Sequence, residues 1–203
     1  MTAPAPSIRV PYITAWSDEE VLQNLAFRYH PEAGGLRLTY TDPQPTDWVY
    51  GVLRARHGLG RTGRIEWKKV NTLRQWRCME HNLCQVCGRT ALDEHTGRIW
   101  WVLTEADGTN VPEGYTNAPP TCRACLPEAI ALCPRLRKSA AVYTARFSLP
   151  YAVLGTVFQP GTPLPVVTED RALVLLEEFR RLHRTLAQQL VVTLADLRPE
   201  PLP

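Results

Sequence analysis

The sequence of this 203-residue chain contains no apolar run that approaches the ~18–20 residues of a membrane span. Its first residues, Met1 to Pro6, hold no basic region followed by an apolar one, so we expect no secretory signal peptide. The phosphate-binding loop that ends in Gly-Lys-Ser/Thr is missing, as are the G-x-G-x-x-G fingerprint and the G-x-S-x-G nucleophile elbow. No internal repeat is present. These absences predict a cytoplasmic protein without a membrane partner, and they offer no support for nucleotide-binding or esterase chemistry.

The net charge of +3 is too small to identify a partner, but the charge is unevenly distributed. Residues 54–77 hold eight of the 23 Lys and Arg residues and a single acid, a local charge of +7 that leaves −4 elsewhere. Cations neutralise phosphates, and the rings of Trp67 and Trp76 lie among them as faces on which bases can stack. We therefore predict a nucleic-acid-binding surface, with a solvated basic loop and helix as the alternative. Its candidate residues are Arg54, Arg56, Arg61, Arg64, Lys68, Lys69, Arg74 and Arg77.

Four of the six cysteines form two Cys-x-x-Cys pairs, Cys84/Cys87 and Cys122/Cys125. Each pair can place two thiolates about one tetrahedral edge apart, and four thiolates complete the ligand set of Zn²⁺. Gly88 suits the tight turn after the first pair because glycine adopts positive φ without a Cβ clash. The spacing predicts one structural zinc ion per chain, with a redox or disulfide role as the alternative. Four thiolates leave no open position for water, so this ion is expected to stabilise the fold only.

The remaining cysteines, Cys78 and Cys133, are expected to be buried free thiols, and a disulfide between them is the alternative. His81 lies three residues before Cys84, so it is an alternative metal ligand.

In the first half of the chain, Ser17 and Glu20 have the spacing of a capping box, which predicts a helix that continues to about His30. Alternation of apolar residues then predicts a strand over 36–40 and a second strand over 48–52. Apolar residues at helical spacing predict a helix over 70–82, with Lys69, Arg74 and Arg77 on its polar side.

In the second half, residues 98–104 are the strongest strand candidate, and Asp107-Gly108 should form the turn after it. The adjacent Trp100 and Trp101 should point to opposite faces of that strand. A short helix is expected after Cys125, followed by a strand pair over 142–147 and 151–158. From Thr168 onward, an apolar stripe from Leu175 to Leu190 predicts a long amphipathic helix. Its apolar face is expected to pack on the protein's own core or, alternatively, to form a homodimer.

The order of these parts resembles a treble-clef zinc finger, in which a knuckle, a hairpin and a helix bring two cysteine pairs together. It is also similar to the metal-stabilised HNH nucleases, whose knuckles flank an active site. The wider pattern, including Trp100-Trp101, Pro119-Pro120 and Cys133-Pro134, resembles uncharacterised actinobacterial and phage-associated proteins over about residues 48–138. The resemblance to HNH nucleases implies catalytic roles for His95 and Asn117. It also implies a His or Asn directly after the second pair, where this chain has Leu126.

We therefore expect an α+β protein organised on one zinc finger with a degenerate HNH-like site. Three regions are predicted: an N-terminal α/β region over 1–66 with the basic loop, a zinc-finger domain over 67–138, and a C-terminal region over 139–203. They can equally form one unit. The expected function is non-catalytic nucleic-acid binding. The alternatives are an HNH-type endonuclease that uses His95 and Asn117, and a protein–protein adaptor.

Overall fold

A computed structural model of the chain describes residues 9–104 and 114–202, and in these ranges the fold is mixed α+β. Four helices are present there: α1 (Thr72–Glu80), α2 (Leu126–Leu132), α3 (Leu136–Ser139) and α4 (Phe179–Leu182). The strands of the first half are β1 (Thr14–Trp16), β2 (Leu25–His30), β3 (Gly35–Tyr40), β4 (Trp48–Val49), β5 (Val52–Arg54) and β6 (Ile65–Val70). Those of the second half are β7 (Ile99–Thr104), β8 (Tyr115–Thr116), β9 (Ala140–Ala145), β10 (Phe147–Gln159), β11 (Val166–Leu175), β12 (Thr185–Ala195) and β13 (Arg198–Glu200).

The largest sheet is built around β12. This strand pairs antiparallel with β10 and β8 and parallel with β5, while β11 and β4 lie at the two edges of the sheet. Leu190, Val191 and Val192 are consecutive, and each is at most 1% exposed. Because neighbouring residues of a strand point to opposite faces, β12 is buried on both faces.

The prediction of a long helix from Thr168 onward is wrong. These residues form β11, the four-residue α4 and β12. A strand buried on both faces has a continuous apolar run without the two-residue alternation, and such a run matches helical spacing by chance. The described residues therefore contain no long amphipathic C-terminal helix of the kind through which a homodimer was expected to form.

The N-terminal helix is also a wrong prediction. Ser17–Glu19 form one 3₁₀ turn, and Leu25–His30 form β2, which pairs antiparallel with β3. Leu25 and Phe27 alternate with other residues, and both pack in a second, smaller core with Leu38 of β3. The two-residue period over 25–29 outweighs the capping signal at Ser17.

Most of the other predicted elements are confirmed. Strands occur over 35–40 and around residues 48–54, and α1 lies inside the predicted 70–82 range because Asn71 caps it, accepting a hydrogen bond from Arg74 N at 3.1 Å. β7 and α2 also lie where expected. Trp101 is fully buried and Trp100 is half-buried on the opposite face. Asp107-Gly108 lies outside the described residues.

Strands over 140–145 and 147–159 are present, but they do not pair with each other as expected. β9 pairs with β7 and β13, whereas β10 pairs with β11 and β12. Only Arg146 separates β9 from β10, and the commonest tight hairpins need two residues. The chain therefore passes directly from one sheet into another.

Two of the sheets join parts of the chain that are distant in sequence. The first predicted region supplies β5 to the sheet of β12, and β1 pairs with β6. The main core contains Trp76 of α1, Trp101 of β7 and Leu190 of β12 together with Cys84 and Cys125. None of the helices found in 9–104 and 114–202 has the length and apolar character needed to cross a membrane.

Candidate metal centre and basic groove

The first cysteine pair lies in a tight knuckle between Leu83 and Thr90, which form an isolated β-bridge. Cys84 N donates to Arg89 O at 2.7 Å, and Gly88 N donates to Cys84 O at 2.8 Å. Gly88 has φ of 73°, and a Cβ at this position would lie 3.0 Å from the Tyr12 ring. A glycine is therefore needed both for the turn and for the packing of the knuckle against Tyr12.

The second pair lies at the start of α2. Residues Arg123–Cys125 form a 3₁₀ turn in which Cys125 N donates to Cys122 O at 2.8 Å. Leu126, the first residue of α2, is 1% exposed and packs against Val102 and Val142, which anchors this end of the helix. A backbone hydrogen bond joins the segments that carry the two cysteine pairs: Gln85 N donates to Pro120 O at 2.8 Å.

The four sulfur atoms of Cys84, Cys87, Cys122 and Cys125 lie within 4.8 Å of one another. Cys87 Sγ and Cys122 Sγ are 3.8 Å apart. Four sulfurs placed ~2.3 Å from a tetrahedral ion would be about 3.8 Å apart, so the donor set fits a single metal ion. The fold thus brings the four predicted ligands together, and their sulfur atoms are suited to holding one metal ion.

The environment of these thiols differs from one cysteine to the next. Burial opposes ionisation of Cys87, but hydrogen bonds from the backbone and side chain of Arg89 outweigh it and lower the pKa of Cys87 to about 7. Burial raises the pKa of Cys84 to about 11 and also raises the pKa of Cys125. Arg9 Nη1 lies 3.7 Å from Cys125 Sγ. Two arginines therefore compensate part of the negative charge of a four-thiolate centre.

Cys78 and Cys133 are both free thiols, so the alternative of a disulfide between them is not realised. Cys78 is buried as expected, and burial raises its pKa to about 12. Cys133 is only partly buried, which differs from the expectation. His81 is not part of the one metal-binding cluster found among the described residues.

His95 and Asn117, the alternative catalytic pair, line different cavities. His95 is exposed in a loop held by Asp93, whose carboxylate accepts from Trp100 Nε1 at 3.1 Å and from the backbone N–H of His95 at 3.0 Å. The bond from Trp100 and the backbone bonds lower the pKa of Asp93 to about 2, so this carboxylate stays ionised and occupied within its own loop. Asn117 Nδ2 instead donates to Gln189 Oε1 at 2.7 Å. The geometry does not assemble a shared site from these residues.

The predicted cations of residues 54–77 do not all lie on one free surface. Arg74 was expected on the polar side of α1, and this is wrong: its side chain is 3% exposed and pairs with Glu19, which is 0% exposed. Arg56 pairs with Asp47 at 2.7 Å and with Asp42 at 3.0 Å. Trp76 is fully buried, so its ring cannot stack on a base. Of the eight cations only Arg74 is buried. Besides Arg56, which is half-exposed and held by its two aspartates, six are exposed or half-exposed: Arg54, Arg61, Arg64, Lys68, Lys69 and Arg77.

A groove of about 410 Å³ runs between β6 and the helices that follow the second cysteine pair. We call it the β6–α2 groove. It is lined by Trp67, Lys68, Lys69 and Val70 on the β6 side, by Gln85 and Val86 of the knuckle, and by Ala129, Leu132 and Leu136 on the helix side. Trp67 is 56% exposed and Leu132 is 46% exposed. The knuckle and the helix that carry the four cysteines therefore contribute to the walls of this groove.

Three cations line the β6–α2 groove. Lys68 and Lys69 come from β6, and Arg9 pairs with Glu128 of α2 at 3.3 Å. Three further exposed cations, which do not line the groove, occupy the four-residue stretch around the lining residue Leu136: Arg135, Arg137 and Lys138. Sequence reasoning missed this second group, although the run Arg-Leu-Arg-Lys directly after Cys133-Pro134 is visible in the sequence. That β6 and the residues around α2 line one groove is visible only in the folded structure.

Comparisons with protein-family models, with curated proteins and with solved structures yield no significant match to this chain.

Proposed function

We propose that this protein binds nucleic acid without cleaving it, and that a structural zinc ion held by Cys84, Cys87, Cys122 and Cys125 maintains the binding surface. Zinc is favoured because four thiolates in a tetrahedral arrangement suit its coordination preference. The order of a knuckle, strands and a helix that begins at the second pair favours a treble-clef finger of the degenerate HNH-like kind. All six cysteines are free thiols, which suits the reducing cytoplasm.

The observation that carries this proposal is the group of cations that lines the β6–α2 groove: Lys68, Lys69 and Arg9. The next exposed cations along the chain from the helix side are Arg135, Arg137 and Lys138, in the run that contains the lining residue Leu136. Glu128 is the only acid that lines the described groove, and it already pairs with Arg9. Lys69 pairs with Glu20 at 3.6 Å, but both side chains are more than half exposed, so phosphate can compete for this lysine. Such a surface attracts a polyanion whose charges are regularly spaced.

Fluorescence anisotropy with labelled oligonucleotides, measured over a range of salt concentrations, tests the proposal. The affinity should fall as salt rises, because each phosphate that a cation neutralises releases bound counterions. The double variant Lys68→Glu/Lys69→Glu should bind roughly tenfold more weakly. Its log–log salt slope should be smaller by about 1.4 to 1.8, the value for two lost phosphate contacts.

Arg180→Glu/Arg184→Glu is the matched control. It changes the net charge by the same amount, but both residues are exposed at or beside α4, outside the lining of the groove. If both double variants lose the same affinity, the binding depends on net charge and not on this surface. If the native protein shows no salt-dependent binding, the proposal fails and the adaptor alternative becomes the better one.

The endonuclease alternative has less support. His95 and Asn117 line separate cavities, and Leu126, which stands where the HNH pattern requires a metal-facing side chain, is buried against Val102. An apolar residue there supplies no ligand for the cation that would stabilise the reacting phosphate. We expect supercoiled plasmid to stay intact with Mg²⁺ or Mn²⁺. Nicking that disappears in His95→Ala would reverse this conclusion.

A further inference from the structure

We infer that the β6–α2 groove takes a single nucleic-acid strand, with one base against the ring of Trp67, in preference to a duplex. This inference rests on the proposed nucleic-acid binding and specifies the form of the ligand. Three features of the groove carry it: its concave shape, its exposed tryptophan and the position of its cations.

The shape of the surface argues against a duplex. Proteins that read double-stranded DNA insert a protruding helix or two-stranded ribbon into the major groove, which is ~12 Å wide. Here the cations line a recess whose floor is apolar, with Ile13, Val70 and Val86 among its lining residues. α2 has seven residues and its first residue, Leu126, is buried, so this helix is not presented for insertion. A recess with an apolar floor instead suits bases that have left the stack.

Trp67 is unusual among the six tryptophans, all of which lie in the described part of the chain. It alone is exposed, at 56%, whereas Trp76 and Trp101 are fully buried and the others are half-buried. A large ring that stays more than half exposed to water costs hydrophobic free energy. Single-strand-binding proteins use such rings because every base offers a face for stacking.

Cations line the same groove as this ring. Lys68 and Lys69 follow Trp67 directly on β6, and Arg9 also lines the groove, where it pairs with Glu128 of α2. A strand that lies along the groove can place a base on Trp67 while its phosphates meet these lysines. Charge alone would also attract an acidic peptide, but a peptide side chain gains less from a flat exposed ring than a base does.

Single-stranded and duplex oligonucleotides of the same sequence distinguish these ligands. We expect the single strand to bind at least tenfold more tightly at the same salt concentration. Trp67→Ala should weaken single-strand binding at least about fivefold and leave the salt slope unchanged, because a lost stacking contact releases no counterions. Trp67→Phe keeps an aromatic face and should retain most of the affinity. Thermal melting of each variant verifies that it is folded.

The outcomes separate this inference from the proposed function. If the duplex binds as tightly as the single strand, or if Trp67→Ala binds like the native protein, the inference is overturned. The proposed function then still stands, provided that Lys68→Glu/Lys69→Glu binds more weakly than the α4 control. If polyglutamate of equal charge competes as well as the single strand, the groove is a general anion surface and the inference also fails. Absence of any oligonucleotide binding overturns both.

Discussion

At the scale of single residues, Glu19 joins three separate segments of the chain. Its carboxylate accepts hydrogen bonds from Trp16 N at 2.9 Å, Arg61 N at 3.1 Å, Asn71 Nδ2 at 3.0 Å and Arg74 Nη1 at 2.5 Å. All of its partners donate, so the carboxylate must stay ionised. This network ties the 3₁₀ turn after β1 to the basic loop over residues 58–64 and to the start of α1.

Replacement of Glu19 by glutamine should therefore destabilise the protein strongly. The change would leave Arg74 charged in an environment where its side chain is 3% exposed, and breaking a buried ion pair in this way costs about 3–5 kcal/mol. Glu20→Gln is the matched control, because this neighbouring side chain is 76% exposed and its pair with Lys69 is weak. Urea unfolding of the two variants should differ by several kcal/mol. Equal unfolding free energies would show that the Glu19 pair contributes little.

The same residue predicts how stability depends on pH. Burial alone would raise the pKa of Glu19, but hydrogen bonds from Arg74, from Trp16 N–H and from Asn71 outweigh it, and the pKa lies below its ordinary value of 4.5. A carboxyl group whose pKa is lower in the folded state stabilises the protein fully above its unfolded pKa. That contribution is lost as pH falls through the folded pKa. The difference in unfolding free energy between native protein and Glu19→Gln should thus shrink below about pH 4.5. If the difference in unfolding free energy between native protein and Glu19→Gln did not change with pH, the predicted role of the Glu19 carboxylate would be contradicted.

Glu19 also illustrates what sequence reasoning misses at this scale. The run Ser17-Asp18-Glu19-Glu20 matches a helix start, and nothing in it distinguishes Glu19 from its neighbours. Its partners Arg61, Asn71 and Arg74 are 42 to 55 residues away. Arg74 was consequently assigned to an exposed basic face. A buried ion pair between distant segments leaves no local pattern, so only the folded structure reveals it.

At the scale of elements, the β10–β12 pair is the longest strand pairing of the large sheet. Gly155 of β10 lies at an irregularity in this pairing, opposite Ala187. A Cβ at position 155 would lie 2.4 Å from the carbonyl oxygen of Leu186, a backbone atom that cannot move without disturbing β12. The close approach of two backbones explains the glycine, and it requires no unusual φ.

Gly155→Ala is therefore expected to destabilise the protein by about 1–3 kcal/mol, as overpacked substitutions commonly do. Gly35→Ala is a suitable control, because a Cβ there meets nothing within 4 Å and residue 35 lies in β3. Thermal melting should show a clear decrease for Gly155→Ala and little change for Gly35→Ala. Equal melting temperatures of the two variants would mean that β10 and β12 can move apart to make room for a Cβ without loss of stability.

Which elements could be predicted depended on how each is buried. β3 has one face in the second core and alternates visibly, while α1 carries an asparagine cap and an apolar face. Both were predicted from sequence. β12 was mistaken for a helix because burial on both faces removes the alternation, and β2 was mistaken because a capping pattern preceded it. The metal centre was predictable because ligand spacing is a local property, whereas the β6–α2 groove depends on which elements pack together.

At the scale of the whole molecule, the metal centre is part of the main core and not an appendage. Cys84, Cys125 and Val86 pack in the same cluster as Trp76, Trp101 and Leu190. Gln75 strengthens this connection, because its side-chain amide donates to Leu190 O at 2.8 Å and accepts from Leu190 N at 2.9 Å. These two hydrogen bonds fix α1 to β12, and the knuckle follows α1 directly in the chain. A change at the four sulfurs should reach the central sheet.

Removal of the metal is therefore expected to destabilise the whole protein. Structural zinc contributes on the order of 10 kcal/mol in small fingers, and even half of that would lower the melting temperature of a chain of this size by roughly 10–20 °C. Chelation, and the variant Cys84→Ser, should each produce this decrease, with the near-ultraviolet signal of the buried Trp76 and Trp101 lost together with the strand signal. Cys133→Ser is the control, because this free thiol lies outside the cluster and should leave both metal content and melting unchanged. Melting of the metal-free protein at the native temperature would show that the sheet is stable without the centre. Loss of metal in Cys133→Ser would contradict the assignment of the ligands.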